Sequence, residues 1–244
     1  MKLPIYFISD NHFLLQNDHD EVERRKKLFS FFKEIKKNSG TLVIGGDFFD
    51  FWLQSFFGVP KYYQDLIEQL KILNENKIEI HLVAGNHDYW DFGFLSKECG
   101  IKVHKNDFQF NVINKKILVT HGDGILKNDN LYRLMKKIIR SYIFIFFVRI
   151  FPSWIMVIFA RIISSTPKKI GKKEILNEKY KKELQIYAKN QIEKYNFSAI
   201  LMGHYHQTGI EKIGDGQFIH MGDWINNFTI TILDEKGAWN QKMK

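Results

Sequence analysis

Five short segments of the chain gather residue types that hold cations and move protons: Ser9-Asp10-Asn11-His12, Gly45-Gly46-Asp47, Gly85-Asn86-His87-Asp88, Thr120-His121-Gly122-Asp123 and Gly203-His204-Tyr205-His206. Asp10, His12, Asp47, Asn86, His121, His204 and His206 offer carboxylate, amide and imidazole donors and no thiolate. Such a set suits Mn²⁺, Fe or Zn²⁺ rather than a soft-metal site. Seven donors are too many for one ion with an open position and match two divalent ions.

Singly, His12 or His121 reads as an ordinary histidine, and Gly85-Asn86-His87-Asp88 as a turn, where Gly, Asn and Asp are favoured for backbone reasons. The repeated context argues otherwise. Each segment follows an apolar run: Ile5–Ile8, Leu42–Ile44, Ile80–Val83, Ile117–Val119 and Ala199–Met202. Strands that pass from apolar residues to Asp, Asn or His deliver ligands to the carboxyl edge of a sheet, where open α/β sheets bind them. Periodicity predicts helices over Glu21–Lys37, Tyr62–Asn76, Phe94–Glu98 and Glu174–Tyr195. Further strands are expected at Ile101–Val103, Phe108–Ile113, Thr208–Ile213, Phe218–Met221 and Phe228–Leu233, with a hairpin at Gly214-Asp215-Gly216.

The order D-x-H, G-D, G-N-H-D, H-G and G-H-x-H, from Asp10 to His206, resembles the calcineurin-like binuclear metallophosphoesterases. That resemblance implies a four-layer αββα sandwich of two mixed sheets. It also implies one metal held by Asp10, His12 and His206, a second by Asn86, His121 and His204, and Asp47 bridging. Metal pairs about 3.5–4 Å apart clamp the attacking and leaving oxygens of an in-line phosphoryl displacement.

Composition bounds the remainder. The 244 residues, 45% of them hydrophobic, suffice for one domain with a full core. Cys99 is the single cysteine, so no intrachain disulfide forms and a reducing compartment is expected. Met1–Ile8 runs directly into Asp10 and reads as the first strand rather than a signal peptide. Between His121 and the last helix, residues 128–170 interrupt the βα rhythm and read as an inserted helical hairpin lid. Its apolar stretch Tyr142–Ile163 is cut by Arg149, Pro152 and Arg161 and is too short to span a bilayer. Lys and Arg flank it on both sides. Apolar helices bordered by cations lie readily on an anionic membrane surface or line a chamber for acyl chains; buried core is the other reading. The net charge of +9 fits lipid better than nucleic acid, because the basic residues bracket apolar sequence rather than exposed stacking aromatics.

Within the family, Gly46-Asp47-Phe48-Phe49-Asp50-Phe51-Trp52, His121-Gly122-Asp123 and Gly222-Asp223-Trp224 resemble the UDP-2,3-diacylglucosamine hydrolases of lipid A biosynthesis. That implies hydrolysis of a lipid-linked nucleotide sugar to UMP and 2,3-diacylglucosamine 1-phosphate, with Mn²⁺, at the cytoplasmic face of an inner membrane. His87 stands where the best-known branch carries Arg, and it is expected to donate a proton to the leaving oxygen, oriented by Asp88. Asp50 and Asp123 are expected to orient ligating imidazoles. Arg133, Lys137 and Arg140 are candidates to meet the diphosphate, and Phe147, Phe151 and Trp154 to meet acyl chains. Two alternatives stay open: a soluble phosphodiesterase or nucleotide phosphatase with a structural hairpin, and a metal-binding scaffold without catalysis.

Overall fold

The computed structural model describes residues 1–152, 155, 158 and 177–244. Two mixed sheets form the centre. The first has six strands, β1 (Ile5–Ile8), β2 (Thr41–Ile44), β3 (Glu79–Val83), β4 (Lys102–His104), β10 (Thr229–Leu233) and β11 (Trp239–Met243), in the order β11-β10-β1-β2-β3-β4. The second has five: β5 (Phe108–Val112), β6 (Lys115–Thr120), β7 (Ala199–Met202), β8 (Thr208–Ile213) and β9 (Gly216–Met221), in the order β5-β6-β7-β9-β8. β1 to β4 run parallel, as do β6, β7 and β9, and the outer pairings are antiparallel.

Strand residues alternate between faces, so one short run feeds two layers. Ile5, Phe7, Val43 and Val83 point between the sheets and meet Ile117, Val119, Leu201 and Ile219. Tyr6, Ile8, Leu42, Ile44, Ile80 and Leu82 face outward, under α1 (His19–Asn38), α2 (Gln64–Glu75) and α3 (Phe94–Cys99). On the far side Leu118, Ile200, Met202 and Phe218 pack under Leu184, Ala188 and Ile192 of a long helix, Glu178–Tyr195. The result is the expected helix–sheet–sheet–helix sandwich.

Local signals set the boundaries. The Asp18 side chain accepts from the Glu21 N–H at 2.9 Å and starts α1. Gly214 (φ +56°) makes the turn between β8 and β9. β11 is a strand that periodicity did not indicate. Within the expected lid, the basic stretch before the apolar run forms a helix of its own: α4 (Asn130–Ile139) precedes the apolar α5 (Tyr142–Ile150). Phe144, Ile145 and Val148 of α5 pack on Leu53, Trp90 and Phe92. Most of the second arm of the expected hairpin, Trp154 included, lies outside the described residues. Among the described residues no helix is long and apolar enough to cross a membrane.

Candidate metal centre

The carboxyl ends of β1, β2 and β3 meet those of β6 and β7 at one edge of the sandwich. There the side chains form three overlapping groups: Asp10, His12 and His206; His12, Asp47 and His87; and Asp47, His121 and His204. Within each, one donor atom per residue lies within 4.8 Å of the others. Asp47 stands in the middle. Its Oδ2 is 3.6 Å from His12 Nε2 and 3.2 Å from His121 Nε2. Asp10 Oδ1 is 3.6 Å from His206 Nε2, and Asn86 Oδ1 is 3.1 Å from His121 Nε2. Six of the seven residues singled out as ligands thus fall in these overlapping groups, and Asn86 joins them through His121.

The backbone explains how short segments can converge. Asp10 (φ 51°), His12 (φ 43°), Asp47 (φ 53°), His204 (φ 66°) and His206 (φ 54°) all occupy the left-handed region. Few residues other than glycine adopt it, though Asp, Asn and His do so most readily. The turns are held by ladder-like bonds, Asp10 N–H to the Gly46 carbonyl at 3.0 Å and His12 N–H to the Asp47 carbonyl at 2.9 Å. His204 N–H donates to both Asp10 oxygens, at 3.0 and 2.9 Å, which ties one sheet to the other. Glycine is required where the loops touch: a Cβ on Gly85 would lie 2.1 Å from Asp47 Oδ1.

The donor set fits a divalent cation. His121 Nδ1 lies 3.0 Å from the Gly45 carbonyl, so that nitrogen carries a hydrogen and in the neutral ring the lone pair falls on Nε2, which faces Asn86 Oδ1 and Asp47 Oδ2. Three acceptor atoms facing one another are reconciled by a proton or a cation. Burial disfavours a charged His121, yet the Asp47 carboxylate outweighs it and pushes its pKa up to about 10. Burial likewise opposes ionisation of Asp47, but the His121 and His87 imidazoles hold it well below the usual carboxylate range. His204 is pushed down to about 4 by burial and by its neighbour His121. A carboxylate that holds a proton on His121 so firmly attracts a divalent ion to the same place, and binding there releases protons.

His87 sits beside this cluster, its ring 4.7 Å from that of His12. Its N–H donates to Asp47 Oδ1 at 2.9 Å, and Nδ1 contacts the Asp50 carbonyl at 2.5 Å. Burial works against its charged form, but Asp47 and the Asp50 carbonyl raise its pKa overall. The expected orientation of His87 by Asp88 needs correction. Asp88 is fully buried and spends its oxygens on the N–H groups of Phe48 (2.8 Å) and Gly85 (2.7 Å). It clasps the turns after β2 and β3, and the Asp50 carbonyl orients His87. The Asp50 carboxylate lies 3.7 Å from His12 Nδ1, near it but beyond hydrogen-bond distance. Asp123 does something else: it accepts from Tyr132 Oη at 2.8 Å and Lys136 Nζ at 2.6 Å, and so seats α4.

The residues suggested for the substrate part company. Arg133 donates to the carbonyls of Gly124, Leu126 and Lys127 and to Asn130 Oδ1, so it stiffens a loop and is removed from the diphosphate candidates. Arg140 reaches the Gly85 carbonyl at 3.3 Å and lies over the Tyr89 ring, at the rim of the site. Lys137 is exposed. Phe147 and Phe151 are 52% and 40% exposed on α5 and just past it, in a group with Tyr142, Ile143 and Phe146. Phe56 and Phe57, at 64% and 67%, add exposed apolar surface that sequence reasoning missed. The Phe56 N–H bonds the Arg149 carbonyl of α5 at 2.9 Å, which joins that surface to the insert.

Comparison with known proteins agrees with this geometry. The profile of the calcineurin-like phosphoesterases matches residues 3–208. The chain is similar to UDP-2,3-diacylglucosamine hydrolase of Haemophilus influenzae, with 25% identity over 243 residues covering 96% of each chain. It is 29% identical to the protein of that name from Blochmanniella pennsylvanica, covering 98% of this chain and 89% of the relative. With the one from Porphyromonas gingivalis it shares 27% identity over 159 residues, and the match spans only 60% of that relative's length. Among solved structures, an archaeal phosphodiesterase superposes with a TM-score of 0.51 at 16% identity, over 99% of this chain and 100% of its own, a likeness of fold.

Proposed function

We infer the reaction from the family: this chain belongs to the calcineurin-like phosphoesterases and is a metal-dependent hydrolase. The substrate reading we favour is UDP-2,3-diacylglucosamine, cleaved at its pyrophosphate to UMP and 2,3-diacylglucosamine 1-phosphate. Relatives named for that substrate run the length of the chain. The observation that carries it is the apolar surface of α5, latched beside a phosphoesterase site by α4. Tyr142 is 93% exposed and Ile143 73%, a face suited to acyl chains or to an anionic membrane surface. We propose a cytoplasmic protein at the inner face of that membrane, with residues 128–170 as the lid and no nucleic-acid partner.

Asp10, His12 and His206 would hold one divalent ion and Asn86, His121 and His204 the other, with Asp47 shared. Mn²⁺ is the ion we propose, given oxygen and imidazole donors without thiolate. When bound, such ions neutralise the phosphoryl oxygens and lower the pKa of a water that attacks phosphorus. The protein's own residues do the rest. His87, its Nδ1 fixed on the Asp50 carbonyl, presents Nε2 to the leaving oxygen and gives up a proton there. Arg140 offers a guanidinium at the rim for the second phosphate.

The test compares UMP release from UDP-2,3-diacylglucosamine and from UDP-glucosamine, with Mn²⁺ supplied. Each buried acyl CH₂ is worth about 0.8 kcal/mol, so the acylated substrate is expected to have a KM lower by orders of magnitude. Replacing Phe147 and Phe151 together by Ser should raise the lipid KM while sparing a small chromogenic phosphodiester. Equal turnover of both sugars, or an unchanged lipid KM in a folded double variant, supports a general phosphodiesterase instead.

A further inference from the structure

The loop that carries Asp10 and His12 is gripped from outside by a buried cation. Arg24, on the inner face of α1, is 5% exposed. Its guanidinium donates to the carbonyl of Asn11, to that of His12 at 3.3 Å and to that of Trp224 at 3.3 Å. Its remaining end donates to Glu21 Oε2 at 2.6 Å. Glu21 is itself fully buried and accepts from the Leu14 N–H at 3.0 Å and from Arg25 Nε at 2.9 Å. The Trp224 N–H closes the ring of contacts on the Asp10 carbonyl at 3.1 Å. The three consecutive carbonyls of Asp10, Asn11 and His12 are therefore each fixed by a donor from α1 or from the turn after β9.

This grip falls where the backbone most needs it. Asp10 and His12 both hold left-handed dihedrals, which persist only when the surroundings over-determine them. A guanidinium has five N–H donors in a rigid plane and can span several carbonyls together, whereas an ammonium is a compact point charge. We propose that Arg24 is a positioning residue for the Asp10–His12 half of the metal centre: it sets the aim of those two side chains without touching the ion or the substrate. The inference rests on the two-ion reading given above.

The experiment measures Mn²⁺ binding to the chelator-stripped full chain, by calorimetry and elemental analysis, for wild type, Arg24→Lys and Arg24→Gln. Wild type should bind two ions. Arg24→Gln should weaken one of them at least tenfold and the other much less, because Asn86 and His121 lie on other loops and only His204 is tied to Asp10. Arg24→Lys should fall between, and kcat at saturating Mn²⁺ should recover more than activity at low Mn²⁺ does. Both variants keeping two unaltered affinities, with only a lower Tm, would overturn the proposal and make Arg24 purely structural. If Arg24→Gln does not fold, Arg24→Lys decides: one weakened ion supports the proposal and two unchanged ions overturn it. A wild type that binds a single ion overturns the two-ion reading and this proposal with it, and that outcome is read before any variant is made.

Discussion

Replacing Gly85 by Ala probes the centre with a single methyl group. The added carbon would lie 2.1 Å from Asp47 Oδ1, 2.6 Å from Asp47 N and 2.8 Å from Asp47 Cγ. Gly85 is not among the residues with positive φ, so the conflict is one of space, and the three nearest atoms all belong to Asp47. To reach ordinary contact at 3.4 Å, Oδ1 must retreat by about 1.3 Å from its 2.1 Å position. Asp47 can move little, since Oδ1 also accepts the His87 N–H and Oδ2 faces two imidazoles. A misplacement of about 1 Å at a reacting centre costs on the order of 10²-fold in rate, and overpacking costs about 1–3 kcal/mol of stability. The expected result is a folded protein with kcat down about a hundredfold and weaker binding of both ions, since the proposed assignment has Asp47 shared between them. Metal titration and steady-state kinetics read the two effects separately. Turnover within about threefold of wild type, with both ions held normally, would refute the placement of Asp47 at the shared position.

Three further outcomes follow from the same geometry. His87→Ala should lower kcat about 10²–10⁴-fold, the range for loss of a general acid, while elemental analysis still finds the wild-type metal content; lost metal would move His87 among the ligands. Asp123→Ala removes the acceptor shared by Tyr132 and Lys136, so amide exchange across Asn130–Ile139 should quicken by the equivalent of about 1–3 kcal/mol, and unchanged exchange would mean that α4 is seated by its apolar contacts. The third concerns His81 and His104, 2.9 Å apart and stacked on Phe108. Burial and the neighbouring His81 push His104 down to about 4. A depressed histidine binds its proton more readily in the unfolded chain, so its contribution is present above the unfolded pKa of about 6.5 and is lost as pH falls toward 4. The slope is at most about 1.4 kcal/mol per pH unit, and less with solvent screening of a half-buried ring. Urea unfolding at pH 7 and pH 5 should show a smaller loss in His104→Phe than in wild type; equal losses would count against it.

The seven donors were legible because strand and ligand are adjacent in sequence: an apolar run followed by Asp or His is a local pattern. The layers came through the family resemblance and not from the residue pattern. In Ile5–Ile8 every residue is buried, since one face meets the other sheet and the other face meets helices, so the alternation leaves no polar trace. The pairing of His87 with Asp88 failed for a related reason. Neighbours in a tight turn point apart, and Asp88 serves backbone N–H groups on the two turns it joins. Arg24 and Glu21 look like the solvated face of a charged helix, and only the packing of α1 on the Asp10–His12 loop makes them interior. β11 escaped because Asn240, Gln241 and Lys242 give an edge strand without apolar alternation.

The left-handed residues explain why this edge needs so much support. Each of Asp10, His12, Asp47, His204 and His206 holds a conformation that costs on the order of 1 kcal/mol or more. Such turns bring a side chain from a strand end back over the sheet, so that donors on five separate loops can face one point. Backbone pairing between the first two loops, the Asp88 clasp and the Arg24 grip all act on main-chain groups and leave the donor atoms uncommitted. That division of labour suits an ion site, and although Asp10 and Asp47 also accept backbone N–H groups, a carboxylate oxygen keeps a second lone pair for a metal. His121 illustrates it within one ring: Nδ1 is spent on the Gly45 carbonyl, which leaves Nε2, facing the oxygens of Asn86 and Asp47, as the nitrogen whose proton a cation would replace.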